Sequence, residues 1–350
     1  MRVAAVETAL PPYRYEQEEI TEAFARMCRA DERLLRRFHA ATRVSGRALA
    51  LPLEEYGRLD GFTAANTAYI NAAVDLGERA MRGALKKAGL GPADVDHLFM
   101  CSSTGLATPS LDAKLLRRVG MRPDVKRIPV FGLGCVAGAV GLARVNDHLL
   151  GRPGEIAVLL CIELCSLTVQ RSDTSTANLV ASALFGDGAA AVVAVGDACA
   201  GLVEAAGPAV VDSRSRLYPD SERLMGWQVG SHGFRIVLAA DLVDVVGTTL
   251  VEDVRRFLSD HGLTPEDVAT WVCHPGGPKV IETISGALGL PPDALDMTWR
   301  SLREAGNMSS VSVLNVLERT IAERRGEPGD PGLLLALGPG FSSELVLLRW

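Results

Sequence analysis

The chain has 350 residues, 48% of them hydrophobic and only 5% aromatic, with a formal net charge of −6. Such a length supports one large domain or two closely joined ones with substantial cores. The acid excess argues against nucleic acid as the main partner, and no apolar run is long enough to cross a bilayer.

The N-terminal "MRVAAVETALPPYRYEQEE" gives one short strand and then turns polar, so neither a signal peptide nor a membrane anchor is expected. Residues 15–47 read as helix with a basic face: Arg26, Arg29, Arg33, Arg36 and Arg37, continued by Arg43 and Arg47. Residues 62–89 make a long amphipathic helix ending at Gly89. "PADVDHLFMCSST" reads as a helical turn and a strand, "GLATPSLDAKLLRRVG" as loop and helix, and "RIPVFGLGC" as a strand running into a corner. Helix "AVGLARVNDHLL", strand "EIAVLLCIELCSL", and the helix, turn and strand of "LVASALFGDGAAAVVAVG" complete the first half. The second half restarts at "GLVEAAGPAVV" and continues with a long helix over residues 237–262. A turn and strand follow in "PEDVATWVCHPGG", then helix "PKVIETISGALG", a helix over 307–324, and two strands joined at Gly338-Pro339-Gly340.

Alternation of this kind predicts an α/β protein with mainly parallel strands and helices on both faces. "PADVDHLFMCSS" recurs in kind as "TPEDVATWVCHP", which suggests two similar halves, residues 1–198 and 199–350. The seven cysteines mostly sit in apolar segments and form no paired CxxC pattern. "CIELC" alone is weak evidence for a metal, so buried thiols in a reduced, cytoplasmic protein are expected.

The corner "VFGLGCVAGAVGL" carries the chemistry. A free thiol has a pKa of about 8.5, and only the thiolate is a nucleophile. Placing Cys135 at a helix start sets it beside free backbone N–H groups and the positive end of the helix dipole, which favour the anion. The surrounding small residues allow a tight turn and close helix packing. A buried structural cysteine would show the same local pattern, so the partners decide. His39, His97, His148 and His261 look like surface or cap residues, and His232 in "VGSHGF" is less easily dismissed. His274 follows a strand directly and precedes the loop "PGGPK", at the strand end where α/β sites gather. Asn307 in "EAGNMSS" offers an amide that donates without ionising, which suits orienting a carbonyl or stabilising an oxyanion.

Taken in order, "GLGCVAG", "LFGDGA", "HPGGPK", "GNMSS" and "GPGF" resemble the type III polyketide synthases, the chalcone synthase-like branch of the thiolase fold, over essentially the full length. The resemblance implies a thiolase-like α/β fold of two pseudo-duplicated halves in a layered αβαβα arrangement. It implies Cys135 as the acyl-carrying nucleophile, with His274 and Asn307 as its catalytic partners. Phe185 and Phe234 would be gatekeepers, and Gly338, Pro339 and Gly340 the loop shaping the cyclisation pocket. It further implies a homodimer that takes acyl-CoA and malonyl-CoA directly, with no metal or organic redox cofactor.

Cations on an N-terminal helix bind coenzyme A in that family, which makes Arg26 and Arg29 candidates; a solvated helix surface is the plainer explanation of the same arginines. Pocket positions appear as Ser103, Thr104, Cys165, Thr168 and Ser309, small and mostly polar, leaving room for a long starter or a growing chain. "ELCSLTVQR" and "TGLATPSLDAKL" resemble the bacterial alkylresorcinol and alkylpyrone synthases, which accept fatty acyl starters. The malonyl-primed tetrahydroxynaphthalene synthases also carry "CSL", typically with cysteine where Thr168 stands. A ketoacyl synthase of the initiating type, fed by an acyl carrier protein, and an acyl-CoA binder without turnover remain as alternatives.

Overall fold

The computed structural model describes residues 1–28, 31–204, 207–239, 241–323 and 326–350. Its strands are β1 (Arg2–Ala9), β2 (Tyr13–Glu16), β3 (Gly46–Leu49), β4 (His97–Cys101), β5 (Lys126–Val130), β6 (Ile156–Leu164) and β7 (Asp187–Val195) in the first half. The second half holds β8 (Ala209–Leu217), β9 (Met225–Gly230), β10 (Gly233–Leu238), β11 (Thr270–Cys273), β12 (Pro331–Gly338) and β13 (Ser342–Arg349).

Among the described residues the main sheet has nine strands in the order β11-β12-β13-β8-β1-β7-β6-β4-β5. Counted within each half among the strands of this sheet, the first runs 3-2-4-5-1 and the second 2-3-4-1, which is the order of the first once its third strand, at the edge, is left out. The halves join where β1 meets β8 at a single pair, Arg2 with Ala209. Only β4–β5, β4–β6 and β11–β12 pair in parallel, while β1–β7, β6–β7, β12–β13 and β13–β8 are antiparallel. The sheet is therefore mixed, where the alternating pattern had predicted a mainly parallel one. Apolar runs buried on both faces read alike in either orientation, and the connections reverse the chain more often than the pattern suggests.

Strand period sorts the core into layers. On β6, Ile156, Val158, Leu160 and Ile162 face the long helix Gly61–Ala88, while Ala157, Leu159 and Cys161 face the opposite way. The second set shares its cluster with Leu334, Ala336, Val346 and Leu348 from the other half, and with the helices Ala137–Gly151 and Ser310–Ala322. Helices Val251–Asp260 and Pro278–Leu288 cover the outer face of the second half. Two helices thus lie between two half-sheets, with further helices outside. Small residues permit the central approach: a Cβ on Gly138 would lie 2.4 Å from the Ser310 carbonyl oxygen.

Several expected elements differ. Residues 15–47 form two helices, Gln17–Cys28 and Glu32–Ala41, and then β3, which carries Arg47 into the interior. The basic face is partly neutralised by neighbouring acids: Arg26 pairs with Glu22, Arg36 with Glu18 and Glu32, and Arg43 with Glu282. Strand β10 takes the start of the helix expected over 237–262, and the helix Asp296–Ala305 was not foreseen. His39 and His97 are buried rather than superficial, because tertiary packing covers the ring-bearing face in each case.

Candidate active site

Cys135 sits in a single tight turn, Gly134–Val136, that leads into the helix Ala137–Gly151. Gly134 has φ of 53°, and a Cβ there would lie 2.7 Å from Pro339 Cδ, so the turn demands glycine on both counts. Its N–H donates to Ser103 Oγ at 3.0 Å. A Cβ on Gly338 would meet the Leu133 carbonyl oxygen at 2.7 Å, which places the Gly338-Pro339-Gly340 loop directly on the turn of Cys135.

His274 follows β11, its N–H donating to the Leu335 carbonyl on β12 at 2.8 Å. The ring is buried and its Nδ1 has no partner among the described residues. Asn307 Oδ1 accepts from the Ser309 N–H at 2.8 Å, which fixes the amide and turns its NH2 toward the Gly276 carbonyl, 3.4 Å away beside His274. Ser309 itself adopts φ of 50°, a conformation unusual for a side-chain-bearing residue, at the start of the helix Ser310–Ala322. Its hydroxyl faces the Cys135 thiol. Thiol, hydroxyl, carboxamide and imidazole loop therefore follow one another through successive contacts.

Sequence reasoning missed the group at the centre. Glu163 is wholly buried; one oxygen accepts from the Ser103 N–H and Thr104 Oγ1, each at 3.0 Å, and the other from Ser310 Oγ at 2.7 Å and Ser309 Oγ at 3.3 Å. Its place in the inward phase of "CIELC" was the available signal: a carboxylate inside an apolar strand.

The electrostatics differ from the expectation of a resting thiolate. Burial pushes the Cys135 thiol up to about 12, reinforced by the Glu163 charge and opposed by the Ser309 hydroxyl. Burial also lowers His274 to about 3. In both groups desolvation favours the neutral form, against the pull of the helix start on the thiol. A neutral imidazole can still accept the thiol's proton.

The two phenylalanines line separate cavities. Phe185 caps the helix Thr176–Leu184 and borders a cavity of 50 Å³ with Cys165, Thr168 and Trp227. Phe234 is buried on β10, packed against Phe62, Phe131 and Trp227 at ring separations of 5.6, 6.2 and 6.1 Å. It borders a cavity of 530 Å³ that reaches Thr104, Ser166 and Arg171. Neither cavity is lined by Cys135, His274 or Asn307; both stop at the residues around them. His232 lies in the exposed β9–β10 turn, and this hairpin, legible in "WQVGSHGFRI", was overlooked. Arg26 is exposed and lines neither cavity, although Met27 and Cys28 beside it line the larger, and Arg29 falls outside the described residues. All seven cysteines are free and buried. Among the described residues no group of three or more His, Cys, Asp and Glu side chains could hold a metal ion, and no helix is long and apolar enough to cross a membrane.

Models of the chalcone and stilbene synthases match residues 1–198 (N-terminal domain) and 209–350 (C-terminal domain). The chain belongs to this family, the type III polyketide synthases. It is an acyltransferase. It is 57% identical over 351 residues to a 1,3,6,8-tetrahydroxynaphthalene synthase of Streptomyces peucetius subsp. caesius, covering 99% of this chain and 93% of the relative. A 3,5-dihydroxyphenylacetyl-CoA synthase of Streptomyces toyocaensis is 33% identical, covering 100% of this chain and 90% of the relative. The crystal structure of the Streptomyces coelicolor A3(2) tetrahydroxynaphthalene synthase, a bacterial type III polyketide synthase, superposes with a TM-score of 0.94 at 29% identity, covering 100% of this chain and 99% of that one. These likenesses favour the tetrahydroxynaphthalene alternative over the fatty acyl reading. Threonine in place of cysteine at Thr168 was too slender a ground against it.

Proposed function

We propose that this synthase primes itself with malonyl-CoA and builds a 1,3,6,8-tetrahydroxynaphthalene-type product. The observation that carries the reading is the 57% identity to a synthase of that name across 99% of the chain. The larger cavity supports it. Its wall includes Asp60, Asn66, Thr104, Gln170, Arg171 and Ser172, groups that a long alkyl chain would strip of water without return. A poly-β-ketone, with an oxygen on every second carbon, can hydrogen-bond to them.

In this mechanism His274 takes the Cys135 proton as the thiol attacks a malonyl thioester, and coenzyme A leaves. A second malonyl-CoA loses carbon dioxide, and the electron pair of the broken bond passes into its thioester carbonyl as an enolate. Two neutral donors, the His274 ring and the Asn307 amide held by Ser309, stabilise that oxyanion, each worth about 3 kcal/mol. The carbanion attacks the Cys135 thioester, a carbon–carbon bond forms and the thiolate departs. Phe185 and Phe234 exclude water that would quench the enolate or hydrolyse the thioester. Ser103, Thr104, Cys165, Thr168 and the Gly338–Gly340 loop shape the growing chain. The substrates are coenzyme A thioesters, bound with help from Arg26, and every step uses side chains of this protein alone, with no metal or redox cofactor. Seven unpaired thiols suit a cytoplasmic location.

The active form is a homodimer. Strand β5 is the outer strand of the main sheet, and Ile128 and Phe131 lie half exposed on it and just beyond it. Exposed apolar side chains at a sheet edge are ordinarily covered, and Phe131 also packs on Phe234.

Purified protein incubated with malonyl-CoA alone should give a naphthol-type aromatic product by mass spectrometry. Product formed only when a fatty acyl-CoA of eight or more carbons is added, as a resorcinol or pyrone, overturns the malonyl-primed reading.

A further inference from the structure

The largest fully buried side chain among the described residues is a charged one beside the gatekeeper, and the mechanism above makes no use of it. Arg47 on β3 is fully enclosed. Its Nη1 donates to the Phe185 carbonyl and its Nη2 to the Ser182 carbonyl at 2.8 Å, while Nε has no partner. Among the described residues no carboxylate lies within salt-bridge distance of it; the Asp187 carboxylate, two residues beyond Phe185, instead accepts from Ala50 and Ser166. Burying a guanidinium with carbonyls as its only hydrogen-bond partners, and the Asp187 charge attracting it from beyond contact distance, is costly, and a core site needing only volume would carry leucine or methionine.

What Arg47 touches gives the reason. Ser182 and Phe185 end the helix Thr176–Leu184, so the cation sits at the negative end of the helix dipole and closes two of its free carbonyls. The aliphatic stem packs beside two glycines. A Cβ on Gly306 would lie 2.8 Å from Arg47 Cδ, and one on Gly186 would lie 3.7 Å from Arg47 Cβ. Gly306 precedes Asn307, and Gly186 follows Phe185. These two segments are laced together, the Gly186 N–H donating to the Asn307 carbonyl at 2.9 Å and the Asn307 N–H to the Leu184 carbonyl at 2.8 Å. One side chain therefore holds the gatekeeper's carbonyl with its head and props the loop of the oxyanion amide with its stem. Lysine could not do the same, because a point charge cannot reach two divergent carbonyls as the planar fork does.

We propose that Arg47 is a positioning residue that sets Phe185 against Asn307 and so couples malonyl decarboxylation to carbon–carbon bond formation. The proposal rests on the roles given above to Phe185 and Asn307. When the spacing is right, the enolate forms beneath Phe185 and within reach of the acyl-cysteine. When it slips, the enolate still forms but is protonated before it can attack, and acetyl-CoA escapes.

The readout is carbon dioxide released per ketide unit incorporated, measured with labelled malonyl-CoA well below each variant's melting temperature. Arg47→Lys and Arg47→Gln should raise that ratio severalfold and lower kcat for product, with a smaller change in KM for malonyl-CoA. Phe185→Leu should give the same signature, and adding Arg47→Lys to Phe185→Leu should raise the ratio little further. A ratio equal to wild type in either soluble Arg47 variant, full coupling in Phe185→Leu, or additive effects in the double variant would overturn the proposal. Wild-type protein that releases carbon dioxide but makes no polyketide would instead refute the functional reading beneath it.

Discussion

The floor of the site and its rim are held by different means. Beneath the thiol, Glu163 gathers the Ser103 N–H and Thr104 hydroxyl of one half and two serine hydroxyls of the other into four buried hydrogen bonds with no solvent access. At the rim, Phe234 rides on a two-stranded hairpin outside the main sheet. That hairpin is tied down by the Gln170 amide, which reaches the Thr168, His232 and Phe234 carbonyls at 3.2 Å each, and by the Arg235–Asp173 pair at 3.0 Å. Buried bonds are expensive to break, and exposed ones exchange readily with water. The contrast fits a site whose reacting groups must stay fixed while bulky thioesters pass the entrance.

The sharpest test of the floor removes the thiol. Cys135→Ala should abolish polyketide formation while malonyl decarboxylation persists at a reduced rate, because His274, Asn307 and their supports remain. Full-length product from this variant, detected by mass spectrometry, would mean that the acyl chain is carried elsewhere.

Acid should weaken the floor before the rim. Burial lowers His39 and His274 to about 3 and His97 to about 4. A base whose folded pKa is depressed contributes stability above its usual value of about 6.5 that is lost as pH falls below it. Each such ring costs about 1.4 kcal/mol per pH unit over that window. Asp187, raised by burial to about 6 from 3.8, works the other way and offsets one ring between those values, and Glu163 and Glu344, also raised by burial, act in the same sense. Urea midpoints at pH 7 and 5 should therefore show a loss of stability smaller than the three rings alone would give. His39→Gln, whose amide can keep one of the hydroxyl contacts to Thr21 and Ser182, should flatten the dependence by about one proton. An unchanged slope would mean that His39 titrates normally.

A smaller and more specific effect is expected at Glu163. An amide cannot accept from all four donors, so Glu163→Gln should lower stability by about 1–3 kcal/mol. It also removes a negative charge that raises the neighbouring thiol. The pH at which iodoacetamide alkylates Cys135 should therefore shift downward in the variant. A shift upward, or none, would show that the carboxyl is already protonated when the thiol titrates.

How much of this could be read from the chain follows the same division. Cys135, His274 and Asn307 stood out because each lies where a regular element ends, and strand-to-turn chemistry is local in sequence. The repeated turn-and-strand pattern likewise announced two related halves. Strand direction did not, since "LLLALG" and "AVVAVG" bury both faces whichever way the neighbour runs. Arg47 was read as one more cation on a helix; its burial depends on contacts with residues 182 to 186 and 306, far along the chain. Glu163 was passed over for the same reason, as its four donors come from two segments, 103–104 and 309–310, far from it along the chain. The resting charge of Cys135 also escaped, because a helix start is visible in sequence and desolvation is not.

The mildest prediction concerns the rim alone. Gln170→Ala removes the amide that ties β10 to the segment after Cys165, while leaving the ring contacts of Phe234 with Phe62, Phe131 and Trp227 in place. Loss of a partly solvated neutral hydrogen bond is worth about 1 kcal/mol, so KM for malonyl-CoA should rise by less than about tenfold. Because the hairpin stands outside the nine-stranded sheet, the melting temperature should barely move and kcat should stay near wild type. A collapse of kcat at unchanged KM, or a fall in melting temperature comparable to that of Glu163→Gln, would show instead that rim and floor open as one unit. The hairpin would then have to be counted with the catalytic core and not with the entrance.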